Sequence, residues 1–302
     1  MESIITAVMR GRTQAIVATV LIAAITLVFT PAAIVSASLI VLATLRNGPQ
    51  EGFFIVAGSI FILFVFGFVL GNPLTLFIYG AIIWLPSWFF GLILGYRKSI
   101  SDTLEIIAIF ALIVVAAQYL FFGDPTKFWS EILKNYLELQ VNASVLSLDQ
   151  SEEIVKGFSG WMAGGLAASW FISSSLSLFI GFWAHSLLEK NPLFGQDFRK
   201  IKASILWLVL LPLFFFVSFF IYDGKPSIMG QLYLVALSLF LIQGISLFHA
   251  LVFSLGKKIS WLVGLYFLLL FGAPSSMTAI AVAGYADGWF NFREKFKNTK
   301  KM

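Results

Sequence analysis

The stretch IMGQLYLVALSLFLIQGISLFHALVFSL, from Ile228 to Leu255, contains no Asp, Glu, Lys or Arg from one end to the other. At about 1.5 Å of rise per helical residue it exceeds the about 30 Å of a bilayer's hydrocarbon core, so a transmembrane helix is the structure it dictates. The pattern recurs along the chain. Apolar runs extend from Thr13 to Thr30 and from Ala32 to Leu45, separated by Pro31. Others run from Phe53 to Leu70 and from Leu74 to Gly95, with Gly71, Asn72 and Pro73 between them. Thr103 to Phe122, Trp161 to Leu188 and Ala203 to Tyr222 follow. The last run, Ile259 to Phe290, is divided by Gly272, Ala273 and Pro274, residues that interrupt a helix. The expected fold is an all-α polytopic transmembrane helix bundle of about 8–10 membrane segments, with short terminal hairpins and one external amphipathic segment.

Composition supports this reading. Of the 302 residues 59% are apolar and 12% charged, too much apolar surface for one soluble core. The 33 Phe and 9 Trp suit lipid-facing surfaces and interfacial belts. The net charge of +5 is scattered between and beyond the apolar runs, so no basic stripe for nucleic acid forms. The chain has no cysteine, which excludes disulfides, thiolate catalysis and Cys-ligated metals. The basic start at Arg10 and Arg12 before an apolar run mimics a secretion signal, but the apolar sequence continues past Pro31 and is read as retained in the membrane.

Residues 1–302 are read as a single transmembrane domain: a first helical group at 13–122, an external acidic segment at 123–160, a second group at 161–290 and a basic cytoplasmic tail at 291–302. Both termini are expected in the cytoplasm of a bacterium, with the chain multi-pass in the inner membrane. On that map only Lys127, Lys134, Lys156 and Lys225 of the 20 Lys and Arg lie outside, the asymmetry that the positive-inside rule requires. In the external segment Phe128, Trp129, Ile132, Leu133, Tyr136 and Leu137 recur at helical spacing, which predicts an amphipathic helix on the outer surface. Asn142-Ala143-Ser144 matches a glycosylation acceptor triplet.

Two patterns mark the bundle interior. Gly165, Ser169, Ser173, Ser177 and Gly181 fall at every fourth position, and Gly91 and Gly95 form a further pair. Such rows let helix backbones approach closely, although the hydroxyls of Ser173 and Ser177 could equally line a solute cavity. Gln231, Ser238, Gln243, Ser246 and His249 occupy an arc of roughly 140° at about 100° per residue. Polar groups in lipid are costly unless they face partners or water, so this row should point inward. It is open to two uses, solute lining or interhelical hydrogen bonding. On the first, Gln243→Leu is expected to abolish binding while sparing the fold.

No metal and no cofactor is expected: His185 and His249 lack a third ligand. No Asp or Glu falls in the middle of a span, and no phosphate-binding loop, zinc-protease motif or nucleophile elbow is present. The chain is accordingly read as not an enzyme.

The apolar sequence closes on Gly284-Tyr-Ala-Asp287-Gly-Trp289-Phe290-Asn291-Phe292-Arg293, followed by a lysine-rich tail. Gly284, Asp287, Trp289, Phe292 and Arg293 at these offsets resemble the C-terminal signature of the YybS-like family of bacterial polytopic membrane proteins. That family is distantly similar in fold to the S subunits of energy-coupling-factor importers, which bind a small solute and borrow an ATPase module. The resemblance implies a solute-binding or permease-type subunit with a small-molecule ligand and a membrane-protein or ATPase-module partner. The alternative from another class is a non-catalytic cell-envelope or division scaffold that binds proteins. Asp287 is expected to pair with Arg293 or a loop arginine where the span meets basic cytoplasm.

Overall fold

The structure is a computed structural model that describes residues 2–26, 28–143, 145–191 and 193–298. Ser144 of the acceptor triplet, Lys300 and Lys301 of the tail and the side chain of Lys297 lie outside the described residues. Among the described residues the regular structure is entirely helical, and the protein is an all-α polytopic bundle.

The helices begin and end where the sequence breaks. α1 (Glu2–Val8) and α2 (Arg12–Ile25) lead to Pro31, which stands before α3 (Ala32–Asn47). α4 (Pro49–Val69) and α5 (Pro73–Arg97) form a hairpin whose turn holds Gly71 at φ 74°, a left-handed conformation that glycine enters without steric cost. α6 (Ile100–Phe122), α7 (Pro125–Asn142) and α8 (Leu148–Phe158) follow, and a 3-10 turn at Ser159–Trp161 runs into α9 (Met162–Leu188). α10 (Leu193–Phe198) precedes α11 (Ile205–Tyr222) and α12 (Ile228–Ser254). α13 (Ser260–Phe271) and α14 (Ser275–Phe290) flank the Gly272 to Pro274 break, and α15 (Phe292–Asn298) comes last.

Among the described residues six helices are long and apolar enough to cross a membrane: α4, α5, α6, α9 with the α8 that leads into it, α11 and α12. α2, α3 and α13 are apolar but shorter. Their exteriors are greasy: Leu206, Val209, Phe216, Phe219 and Phe220 of α11 and Phe61, Phe66 and Phe68 of α4 are all exposed. Continuous apolar surface of this kind is a liability in water and the natural exterior in lipid. The protein is an integral, multi-pass membrane protein.

The helices gather into two compact units, one comprising residues 1–107 and 172–201 and the other 108–171 and 202–302. The division falls inside α6 and α9, so it does not coincide with the groups 13–122 and 161–290 read from hydropathy.

In the first unit α3 is the centre, packing against α2, α4 and α5. Its small residues explain this. Ser36, Ala37, Ser38 and Ala43 are buried along it, and a Cβ added at Gly91 would lie 3.3 Å from the Val41 Cα. Trp84, fully buried on α5, donates from Nε1 to Ser36 Oγ at 3.0 Å, and Ser36 Oγ donates to the Thr19 carbonyl at 2.8 Å. One buried chain of hydrogen bonds thus joins α5, α3 and α2. A short helix needs no spanning length of its own when other helices enclose it.

In the second unit α12 is the centre: 61% of its apolar window is buried against 28% for α11. α11 and α14 pack on it, with α13 and α15 as lesser neighbours. The segment 123–160, expected to be external, folds as two helices rather than the expected one. Asp124 caps α7, and a reciprocal Ser147–Gln150 capping box starts α8. Phe128 stacks on Phe122 with ring centroids 4.1 Å apart, and Trp129 Nε1 donates to Gln118 Oε1 at 2.9 Å. Leu137 is buried, while Ile132 and Tyr136 remain exposed.

Candidate functional site

The polar row of α12 lies inside the second unit. Gln231, Ser238, Gln243 and Ser246 are buried, and His249 is half-buried. What they touch is chiefly backbone. Gln243 Oε1 accepts from the Ala203 amide at 2.7 Å, and its Nε2 donates to the Gly284 carbonyl at 2.7 Å. One side chain therefore fastens the start of α11 and the body of α14 to α12. Gln231 does the same at the other end of the helix. Its Oε1 accepts from the Gly164 amide at 2.6 Å and its Nε2 donates to the Gly160 carbonyl. These are the backbone groups that the 3-10 turn leaves without regular helical partners, and a polar side chain from a neighbouring helix satisfies them. Ser238 Oγ donates to the Leu234 carbonyl within its own helix, and His249 Nε2 meets the Tyr266 hydroxyl at 2.9 Å.

Glycine makes these bonds reachable. A Cβ at Gly164 would stand 2.7 Å from the Gln231 Cα. At the α12–α14 crossing, a Cβ on Gly244 would run into the Ile280 carbonyl, and one on Gly284 into the Phe240 carbonyl and the Gly244 backbone. The crossing is a glycine-to-glycine contact with Gln243 beside it.

The C-terminal motif closes the same junction. Asp287 is fully buried, and its Oδ2 accepts from Arg293 Nε at 2.9 Å. Arg293 also donates from Nη2 to the Gln243 carbonyl at 3.4 Å. Burial pushes the Arg293 guanidinium below its ordinary range, and the Asp287 charge pulls it back; an arginine stays charged under either influence. Asp287 Oδ1 has no hydrogen-bond partner among the described residues. Gly284 sits in the crossing, whereas Trp289 is exposed and Phe292 is half-buried.

The small-residue row of α9 is divided between the units. Ser177 is buried, donating to the Ser173 carbonyl at 2.9 Å while Ser173 itself is half-buried. A Cβ at Gly181 would stand 2.8 Å from the Ser38 carbonyl, a close approach of α9 to α3. Ser169 is exposed, and no atom of the described residues lies within 4 Å of a Cβ built at Gly165. Gly95 makes only an ordinary contact, 3.6 Å from Leu45. His185 belongs to the first unit and His249 to the second. Among the described residues no three His, Asp or Glu side chains gather as metal ligands would.

A cavity absent from the sequence reading lies in the first unit. Between α4 and α5 a cleft of about 520 Å³ is walled entirely by apolar side chains, among them Phe53, Ala57, Phe61 and Phe64 of α4 and Leu74 and Phe77 of α5. Ala57 is the small residue in a row of large ones, and its missing bulk leaves the space. Because α4 is apolar on every face, no periodicity singles this face out.

No known family, curated protein or solved structure matches the chain.

The sequence reading expects Gln243→Leu to spare the fold, and in this geometry the substitution strands the Ala203 amide and the Gly284 carbonyl. Each buried group left unpaired costs about 1–3 kcal/mol, so Gln243→Leu should lower the thermal unfolding midpoint in detergent. Gly284→Val, which overpacks the crossing, should cost about 1–3 kcal/mol, and Gly165→Ala should be neutral. A Gln243→Leu protein as stable as wild type would contradict the assignment.

Proposed function

We propose that this integral membrane protein is a non-catalytic binding subunit of the solute-binding or permease type, and that its solute is apolar. The cleft between α4 and α5 carries this reading. Ligand sites are typically concave and mostly apolar with volumes of about 300–1,000 Å³, and this one lies within that range with no polar atom in its wall. A polar, vitamin-like solute would need convergent donors and acceptors, and the glutamines best placed to offer them hold backbone groups instead. The YybS-like resemblance, and with it a borrowed ATPase-module partner, belongs to this proposal. So does the placement in a bacterial inner membrane with both termini cytoplasmic, which the distribution of Lys and Arg supports.

The scaffold reading has its own support in the open Gly165 and the exposed Ser169 on α9. Uncovered small residues are where a second transmembrane helix packs closely. Co-purification of a fixed protein partner, lost on Gly165→Leu, would favour it.

Thermal unfolding in nanodiscs tests the main reading with two probes, dodecanol and a mixture of water-soluble vitamins. Dodecanol should raise the midpoint, by about 2–4 °C for each kcal/mol of binding stabilisation, and the vitamins should not. Stabilisation by the vitamins alone would contradict an apolar solute. Sidedness is checked in intact cells, since the chain has no cysteine of its own. An impermeant thiol reagent should reach Lys225→Cys and not Lys258→Cys; the reverse would invert the map.

A further inference from the structure

We infer that the cleft between α4 and α5 is a lateral binding site for one acyl chain of a bilayer phospholipid. This rests on the reading of the cleft as a ligand site and names its occupant.

The wall offers no donor, acceptor or charge. Nothing in it can orient a headgroup or discriminate among polar solutes, so recognition falls to shape and dispersion alone. A hydrocarbon chain satisfies such a wall along its whole length.

The dimensions agree. The lining runs from Phe53 to Phe64 on α4 and from Leu74 to Leu85 on α5. At about 1.5 Å per residue each wall is about 16 Å long, close to half of the about 30 Å hydrocarbon thickness. That is the depth available to the tail of one leaflet.

The cleft is bracketed by aromatic pairs across the two helices. Phe53 and Trp88 stand 5.4 Å apart near one end, and Phe64 and Phe77 stand 6.0 Å apart near the other. Trp88 Nε1 already donates to the Pro49 carbonyl, so the one polar group of this pair is satisfied. Between the pairs the flank is open: Phe61 is 64% exposed and Leu85 is 39% exposed. The opening therefore faces sideways from two helices long enough to cross the membrane, and the solvent there is lipid. Entry needs no passage through water.

The test uses the full chain in nanodiscs of phosphatidylcholine that carries a diazirine within one acyl chain. After illumination, adducts are mapped by mass spectrometry. Labelling at Phe61, Phe64, Leu74 and Phe77 should exceed that at Phe216 and Phe219, exposed residues of α11, by at least fivefold. Ala57→Trp should bring the cleft down to the α11 level and leave α11 unchanged. In the wild-type protein the cleft and α11 are compared within one molecule, which keeps the test decisive if Ala57→Trp fails to fold. Equal labelling of cleft and α11 would reduce the cleft to ordinary surrounding lipid and overturn the inference. Displacement by free palmitate but not by phosphatidylcholine would overturn the phospholipid assignment. These results are separable from the thermal test: failed labelling leaves dodecanol stabilisation possible at another site, whereas vitamin stabilisation would sink the apolar-solute reading and leave selective labelling intact.

Discussion

A polar group within a bilayer has no water to fall back on, and the second unit is organised around satisfying that demand. Gln243 takes one backbone donor and gives to one backbone acceptor, joining the start of α11 and the body of α14 to α12. Gln231 repeats the arrangement where the 3-10 turn before α9 disturbs the regular ladder. Interhelical hydrogen bonds in membranes contribute only about 0.6–2 kcal/mol each. Their larger effect is on specificity, because any other packing of these helices strands two backbone groups in hydrocarbon. Arg293 extends the junction to α15 by bonding both Asp287 and the Gln243 carbonyl.

Such bonds require close backbones, and there is no hydrophobic drive between helices in lipid to bring them together. Glycine supplies the approach. Gly244 faces Gly284, Gly164 faces the backbone of Gln231, and in the first unit Gly181 and Gly91 meet α3. Several phenylalanines of α11 and α4 face outward while Gly, Ala and Ser fill the close crossings, although Trp84, Trp207, Phe90, Phe171 and Phe240 are fully buried. The cleft beside Ala57 is the exception, a place where a small residue leaves space that no neighbouring helix fills.

Much of this was legible in the sequence. Pro31, the Gly71 to Pro73 turn and the Gly272 to Pro274 break delimit helices because proline and glycine act locally, through backbone geometry alone. That Gln231 and Gln243 lie on one face of a helix followed from its period. Their partners did not, since Ala203, Gly160, Gly164 and Gly284 are distant in the chain and contribute only backbone atoms, which leave no signature in residue identity. The α9 row read as one continuous seam, yet Gly181 is enclosed and Gly165 is open, because spacing records which residues share a face and not what covers it. α8 went unread although Ser147 and Gln150 form a capping box, its sequence being too polar to stand out beside the spans. The cleft was invisible for the opposite reason: its walls are as apolar as everything around them.

The account turns on the polar row of α12 being a dry structural seam rather than the wall of a water-filled path. Single cysteines at Ser238 and Ser246, small replacements that preserve the glutamine bonds, can be exposed to a charged, membrane-impermeant thiol reagent in folded protein. The account predicts that neither position reacts until the protein is unfolded. Rapid modification of both in the folded state would reveal an aqueous route along α12 and contradict it.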